Sequence, residues 1–161
     1  MPKIGVFVDV QNIYYTTRDA YGRSFDYRKF WQRLTQQGDI VIANAYAIKS
    51  NQDSQIKFQD ALKHIGFEVK LKPFIQRSDG SAKGDWDVGI SVDIMKAAAR
   101  GDIERMILLS GDGDFDFLLK SIREDFNLIS EVYGVESLTA QSLINTADYY
   151  HPIDPTYIIT N

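Results

Sequence analysis

Three carboxylates crowd into the segment Ser110-Gly111-Asp112-Gly113-Asp114-Phe115-Asp116. The apolar run Met106-Ile107-Leu108-Leu109 precedes it and reads as a buried strand. Phe115, Leu118, Leu119 and Ile122 follow with the i, i+3, i+4, i+7 spacing of a helix. The acids therefore stand where a strand ends and a helix begins, the edge at which open α/β sheets bind ligands. A second such edge lies at the N-terminus, where Ile4-Gly5-Val6-Phe7-Val8 runs into Asp9-Val10-Gln11-Asn12. Carboxylates gathered at neighbouring strand ends repel one another unless a cation joins them. Hard oxygen donors suit magnesium or manganese. The chemistry implied is metal-assisted attack on a phosphate.

Two more acidic positions join the set. Lys83-Gly84-Asp85-Trp86-Asp87 precedes a helical pattern, and capping accounts for one of its two aspartates but not both. Asp93 interrupts the apolar stretch from Val88 to Met95, where an aspartate is costly to bury unpaired. On a continuous helix it lies about 120° around the axis from Asp87. It reaches a common site only by looking across to a strand end; otherwise it faces solvent or pairs with Lys96 or Arg100. Asp9 and Asn12 taken alone read as helix caps. In the 112–116 turn, Asp112 is closer to the strand end and is the better ligand, with Asp114 a further acid or a cap. An EF-hand is excluded, because Phe117 and Arg123 stand where that loop needs glycine and glutamate.

The elements that must position these acids alternate. Strands are expected at residues 3–9, 40–48, 67–75, 105–110 and 128–133. Helices are expected from 26, from about 53, at 86–100, at 115–124 and at about 139–147, with a polar loop at 76–84 and a proline-containing tail. Alternation of this kind gives an α/β fold with a mainly parallel sheet of about five strands covered on both faces. The 161 residues are expected to form one domain, 1–161. There is no cysteine, which removes disulfides and thiolate metal sites, and His64 and His151 are too far apart in sequence to suggest zinc. No apolar stretch has membrane-spanning length, and the N-terminal run ends at Asp9, as a strand does and a secretion signal does not. A soluble cytoplasmic protein is the expectation. Residues 1–83 carry 13 basic and 8 acidic side chains, and residues 84–161 carry 5 and 14. The basic half suits phosphates and the acidic half suits metal; differently charged solvated faces explain the split equally well.

These motifs, from Val8-Asp9-Val10-Gln11-Asn12 through Lys83-Gly84, Asp87 and Asp93 to Ser110-Gly111-Asp112-Gly113-Asp114-Phe115, resemble the NYN family. That family, also called LabA-like or domain of unknown function 88, belongs to the PIN-like nuclease superfamily. Its usual Lys-Gly-x-Asp is one residue longer here, and Asp87 is assigned the family's position because Val88 and the apolar residues after it match from there. The resemblance implies a three-layer α/β/α sandwich and a metal-dependent ribonuclease. It assigns Asp9, Asp87, Asp93 and Asp112 to magnesium or manganese, with Asp114 a fifth acid, and makes Asn12 a ligand-orienting group. RNA, single-stranded or structured, is the implied partner, with Lys83, Lys49 and Arg77 as candidates to grip its backbone; a homodimer is left open. Tyr14 and Tyr15, beyond Asn12, suit base stacking or helix packing. The competing reading is a noncatalytic RNA-binding or regulatory module on the same fold. A haloacid-dehalogenase-type phosphatase is disfavoured by Gln11, and a topoisomerase-primase-like domain by Asp9 in place of glutamate.

Overall fold

In the computed structural model the described residues are 1–73, 75–76, 82–83 and 85–160. The elements run β1 (Lys3–Asp9), α1 (Val10–Tyr21), α2 (Tyr27–Thr35), β2 (Asp39–Ile48), α3 (Asp53–Ile65), β3 (Glu68–Lys72), β4 (Ile75–Gln76), β5 (Ala82–Lys83), α4 (Asp87–Arg100), β6 (Arg105–Leu109), α5 (Asp116–Phe126), β7 (Ile129–Gly134), α6 (Gln141–Thr146) and β8 (Tyr149–Pro152). Six strands form one sheet in the order β3-β2-β1-β6-β7-β8, all parallel. Strands β4 and β5 pair separately as a short antiparallel ribbon.

Side-chain alternation along the central strands divides the core in two. Val6, Val8, Ala45, Ala47, Ile107 and Leu109 face α1, α2 and α3, where Ile13, Phe30, Leu34 and Leu62 cover them. Phe7, Tyr46, Met106, Leu108 and Val132 face the other way, against Ile90, Ile94, Leu118, Leu119, Ile122 and Leu143 of α4, α5 and α6. The result is the α/β fold with helices on both faces that the alternation requires. Because both faces are covered, β1 and β6 are apolar almost throughout.

The β4–β5 ribbon lies where a polar loop is expected, and α1 and β8 also go beyond the sequence reading. Helix α1 buries only Val10, Ile13 and Thr17, so its apolar stripe is too narrow to register as a period. Strand β8 is the sixth strand, a four-residue edge of Tyr-Tyr-His-Pro with no apolar alternation, in the segment read as a tail.

Strand order reverses between β1 and β6: the chain moves outward from β1 through β2 to β3, then crosses back through α4 to β6. A crevice opens at such a reversal, at the carboxyl ends of the two strands. Those ends are Asp9 and Leu109-Ser110. Gly111, just beyond β6, packs so closely that a Cβ there would lie 2.8 Å from the Leu138 carbonyl oxygen and 3.1 Å from Thr139 Cα. Its own carbonyl accepts from Ala140 N at 3.0 Å. Gly111→Ala is therefore expected to cost about 1–3 kcal/mol of stability by overpacking, read from the midpoint of urea unfolding. An unchanged midpoint would mean the 138–140 segment moves freely.

Candidate metal centre

Three local structures deliver carboxylates to the crevice. Asp9 ends β1 and is 8% exposed. It stands at the N-cap position of α1, and Ser110 Oγ donates to its Oδ2 at 3.0 Å. The same Ser110 Oγ accepts from Asp112 N at 3.2 Å, which folds the loop after β6 back toward β1. Asn12, in the first turn of α1, accepts from Gly111 N at 2.9 Å through its carboxamide oxygen. Asp112 turns the chain into a short 3₁₀ segment by accepting from Asp114 N at 2.9 Å. At the head of α4, Asp87 N donates to Asp85 Oδ1 at 3.4 Å, and Asp87 lines the crevice.

Carboxylate oxygens of Asp87, Asp112 and Asp114 lie within 4.8 Å of one another. Asp9 is not one of those three. It lines the adjoining cleft of about 270 Å³ with Gln11, Asn12, Tyr15, Thr16, Asp85, Asp87 and Asp112. Oxygens sharing an octahedral magnesium ion stand at most about 4.2 Å apart, so a slight inward rotation of the three side chains suits such an ion. An all-oxygen, anionic donor set is the right chemistry for magnesium or manganese and the wrong one for a soft metal.

The electrostatics show what the cluster costs without a cation. Burial pushes the Asp87 carboxyl up to about 7, helped by the hydrogen bond it shares with Asp112 and by the charges of Asp112, Asp9 and Asp85. Burial also raises Asp9 to about 6, against the bonds from Ser110 and the Asn12 backbone and with the charges of Asp112 and Asp85.

Asp93 is a correction. It does not join the crevice. Its Oδ2 accepts from Lys70 Nζ at 2.8 Å and from the Tyr46 hydroxyl at 2.8 Å, and that hydroxyl accepts from Asn44 Nδ2 at 3.0 Å. Burial acts to raise its carboxyl, but the bonds and charge of Lys70 and the Tyr46 hydroxyl outweigh it and hold the group below the ordinary aspartate value. The reason is angular: Asp87 and Asp93 are about 120° apart on α4. Asp93 consequently looks toward β2 and β3 while Asp87 looks toward β6. Asn12 is corrected in part, since its oxygen ties α1 to the β6 loop, although the residue lines the cleft. The side chains of Lys83 and Arg77 lie outside the described residues. The sequence motif includes Ser110 but assigns it no role; its signal is a serine directly at the strand end, next to the acids.

Residues 3–154 match the family model of the NYN domain. The chain is 29% identical over 157 residues to the Low amplitude and bright protein LabA of Synechococcus elongatus, a match covering 92% of this chain and 82% of that protein. It is also similar to a crystal structure of a protein of unknown function from Vibrio parahaemolyticus, at 51% identity and a TM-score of 0.93, covering 98% of this chain and 96% of that one.

The raised carboxyls give a pH signature. Folded values near 6 and 7 exceed the unfolded value of 3.8, so the folded protein holds more protons between these limits. The contribution of these groups to stability is full below about pH 4 and is lost as pH rises through 6 and 7. Manganese should therefore raise the melting temperature strongly at pH 8 and weakly at pH 5, where protons compete. In isothermal titration at pH 8, Asp112→Asn should weaken manganese binding strongly, while Asp93→Asn, which only loosens the hold on α4, should weaken it slightly. Loss of manganese binding in Asp93→Asn would return that residue to the site.

Proposed function

The chain belongs to the NYN domain family, and from that premise and the carboxylate geometry we propose that it is a metal-dependent ribonuclease. The observation that carries the proposal is the group of Asp87, Asp112 and Asp114 at the strand-order reversal, with Asp9 beside it in the adjoining cleft. RNA as the substrate follows from the family. When bound, magnesium or manganese would supply positive charge to the scissile phosphate and acidify the attacking water.

The chain's own residues do the rest. Asp87, Asp112 and Asp114 would hold the ion. Asp9, fixed by Ser110, sets the position of the β6 loop and adds negative charge behind the site. Thr16, Gln11 and Asn12 line the cleft where a phosphate would enter. Tyr15 is 62% exposed and lines the same cleft, which favours base stacking over helix packing for this residue. Its neighbour Tyr14 meets it edge-on and carries Arg18 5.5 Å above its ring, so an aromatic and cationic face stands next to the acids. Lys83 is kept as a backbone-gripping residue on its sequence position. Among the described residues, no helix is long and apolar enough to cross a membrane.

The expected result is slow cleavage of unpaired RNA with manganese or magnesium, abolished by chelator. Asp112→Asn preserves size and removes a charge, so it should lower the rate by orders of magnitude. Lys83→Ala should instead weaken RNA binding and reduce the salt slope by about 1, as the loss of one phosphate contact does. Full activity in Asp112→Asn would point to a contaminating nuclease or to a different site. RNA binding that is indifferent to metal, with no cleavage under any condition, would make the chain a noncatalytic binding module.

A further inference from the structure

Lys49, Lys70 and Lys72 stand at the ends of β2 and β3, and only Lys70 is spent on an acid. It pairs with Asp93 at 2.8 Å. Lys72, two residues further along β3, places its Nζ 4.8 Å from the centre of the Trp86 ring. An aromatic face holds an amine in place without neutralising it. Trp86 is itself fixed: its indole nitrogen donates to the Ala47 carbonyl at 2.8 Å, and its ring packs on Tyr46. Lys49 follows the last residue of β2 and is exposed; its backbone N–H donates to the Lys72 carbonyl at 2.9 Å. Among the described residues, neither Lys49 nor Lys72 makes a salt bridge.

Topology puts this pair on the acid edge. The strands run parallel, so the ends of β2 and β3 lie along the same edge as Asp9 and the loop after β6. Asp9 is in register with Tyr46, and Tyr46 with Lys70. Lys72 is therefore two strands over and two residues on, roughly 12 Å from Asp9 between Cα atoms. That is a span of a few nucleotides. Trp86, which carries the Lys72 amine, stands between Asp85 and Asp87 of the cleft. The β4–β5 ribbon sets the backbone of Lys83 opposite Ile75, three residues beyond Lys72. The chain thus returns Lys83 to the corner that Lys49 and Lys72 occupy.

The two sides of the crevice differ in sign. On one side, the groove along α4 has Asp85, Asp87 and Asp114 at its mouth and Val88 and Val92 beyond them. A phosphate backbone would be repelled where it entered. On the other side stand the two lysines. We propose that Lys72 and Lys49 bind the phosphates of an unpaired RNA strand where it leaves the carboxylate crevice across the ends of β3 and β2, with Trp86 positioning the Lys72 amine. The choice of RNA rests on the ribonuclease reading. Such contacts fix the register of the strand and carry no base preference.

Binding is measured apart from cleavage, by fluorescence anisotropy of an unpaired oligoribonucleotide in chelator over a series of salt concentrations. Lys72→Met keeps the apolar stem against Trp86 and removes the charge. Lys72→Met and Lys49→Met should each weaken binding about two- to fivefold. Each should also flatten the slope of log affinity against log salt by about 0.7–1. Lys72→Arg should keep the wild-type slope. Val92→Glu, which adds a negative charge to the α4 groove, should leave binding unchanged. Circular dichroism and an undiminished manganese affinity show that the lysine variants keep the fold and the crevice. The proposal is overturned if neither methionine variant changes the slope, if Lys72→Arg loses as much as Lys72→Met, if Val92→Glu weakens binding as strongly as they do, or if the wild type binds no RNA. Cleavage with manganese is scored on the same preparations. A wild type that binds through these lysines and never cuts upholds the lysine track and removes the ribonuclease reading. A wild type that cuts while both methionine variants bind normally does the reverse.

Discussion

A carboxylate buried at the end of the first strand governs the local architecture. Asp9 is almost removed from solvent, and a buried carboxylate is tolerable only when its oxygens are hydrogen-bonded. The donor comes from another strand: Ser110, more than a hundred residues away in sequence, reaches Asp9 because β1 and β6 are neighbours in the sheet. Once Ser110 is committed, its oxygen accepts Asp112 N and the chain turns. Asn12 secures the same turn from the α1 side through Gly111 N. The position of Asp112, and with it the three-carboxylate group, descends from this one bonded pair. A sheet that separated β1 from β6 would leave Asp9 without its partner.

The parts of the fold that sequence made legible are those with a strong period. The five longer strands of the main sheet and the helices from α2 to α6 follow runs of apolar residues or amphipathic spacing. Helix α1 and strand β8 escaped because neither owes its existence to an apolar pattern. Helix α1 is anchored at its start by the Asn12 contact and at its end by Tyr21, whose hydroxyl donates to the Ile153 carbonyl at 2.7 Å. Strand β8 is completed by its neighbour: His151 bonds the buried Glu131 of β7 at 2.7 Å, and Glu131 also pairs with Arg105 of β6 at 2.7 Å. Burial tends to raise the Glu131 carboxyl, but His151 and Arg105 outweigh it and keep the group ionised. Long-range polar partners of this kind leave no local signature.

The same distinction explains the site. Asp112, Asp114 and Asp87 were readable as site residues because each stands at a strand end or helix mouth, where chain direction fixes where a side chain points. Asp93 is embedded mid-helix, and its direction depends on which neighbour packs against that face of α4. Its sequence neighbours offered Lys96 and Arg100 as partners, whereas the actual partner, Lys70, lies on an edge strand whose place in the sheet follows from topology alone. The Asp93–Lys70 pair and the Tyr46 hydroxyl join α4 to β2 and β3. Trp86 adds a bond from its indole nitrogen to the Ala47 carbonyl at 2.8 Å. Together these contacts set where the head of α4 lies, and so where Asp87 points. Asp93 thereby serves the site by holding its helix rather than by touching an ion.

Helix α4 therefore serves three surroundings at once, and the division is angular. One face completes the core, a second carries the ion pair to the sheet edge, and a third presents Val88, Val92 and Ala99 outward. At its head stands Asp87, the acid most raised toward neutrality. An acid cluster of this kind is destabilising to the isolated chain at neutral pH, and sites built for a ligand commonly carry such a cost. An opposing cation would offset this cost, and a divalent ion in the crevice would satisfy several carboxylates at once and polarise a phosphate.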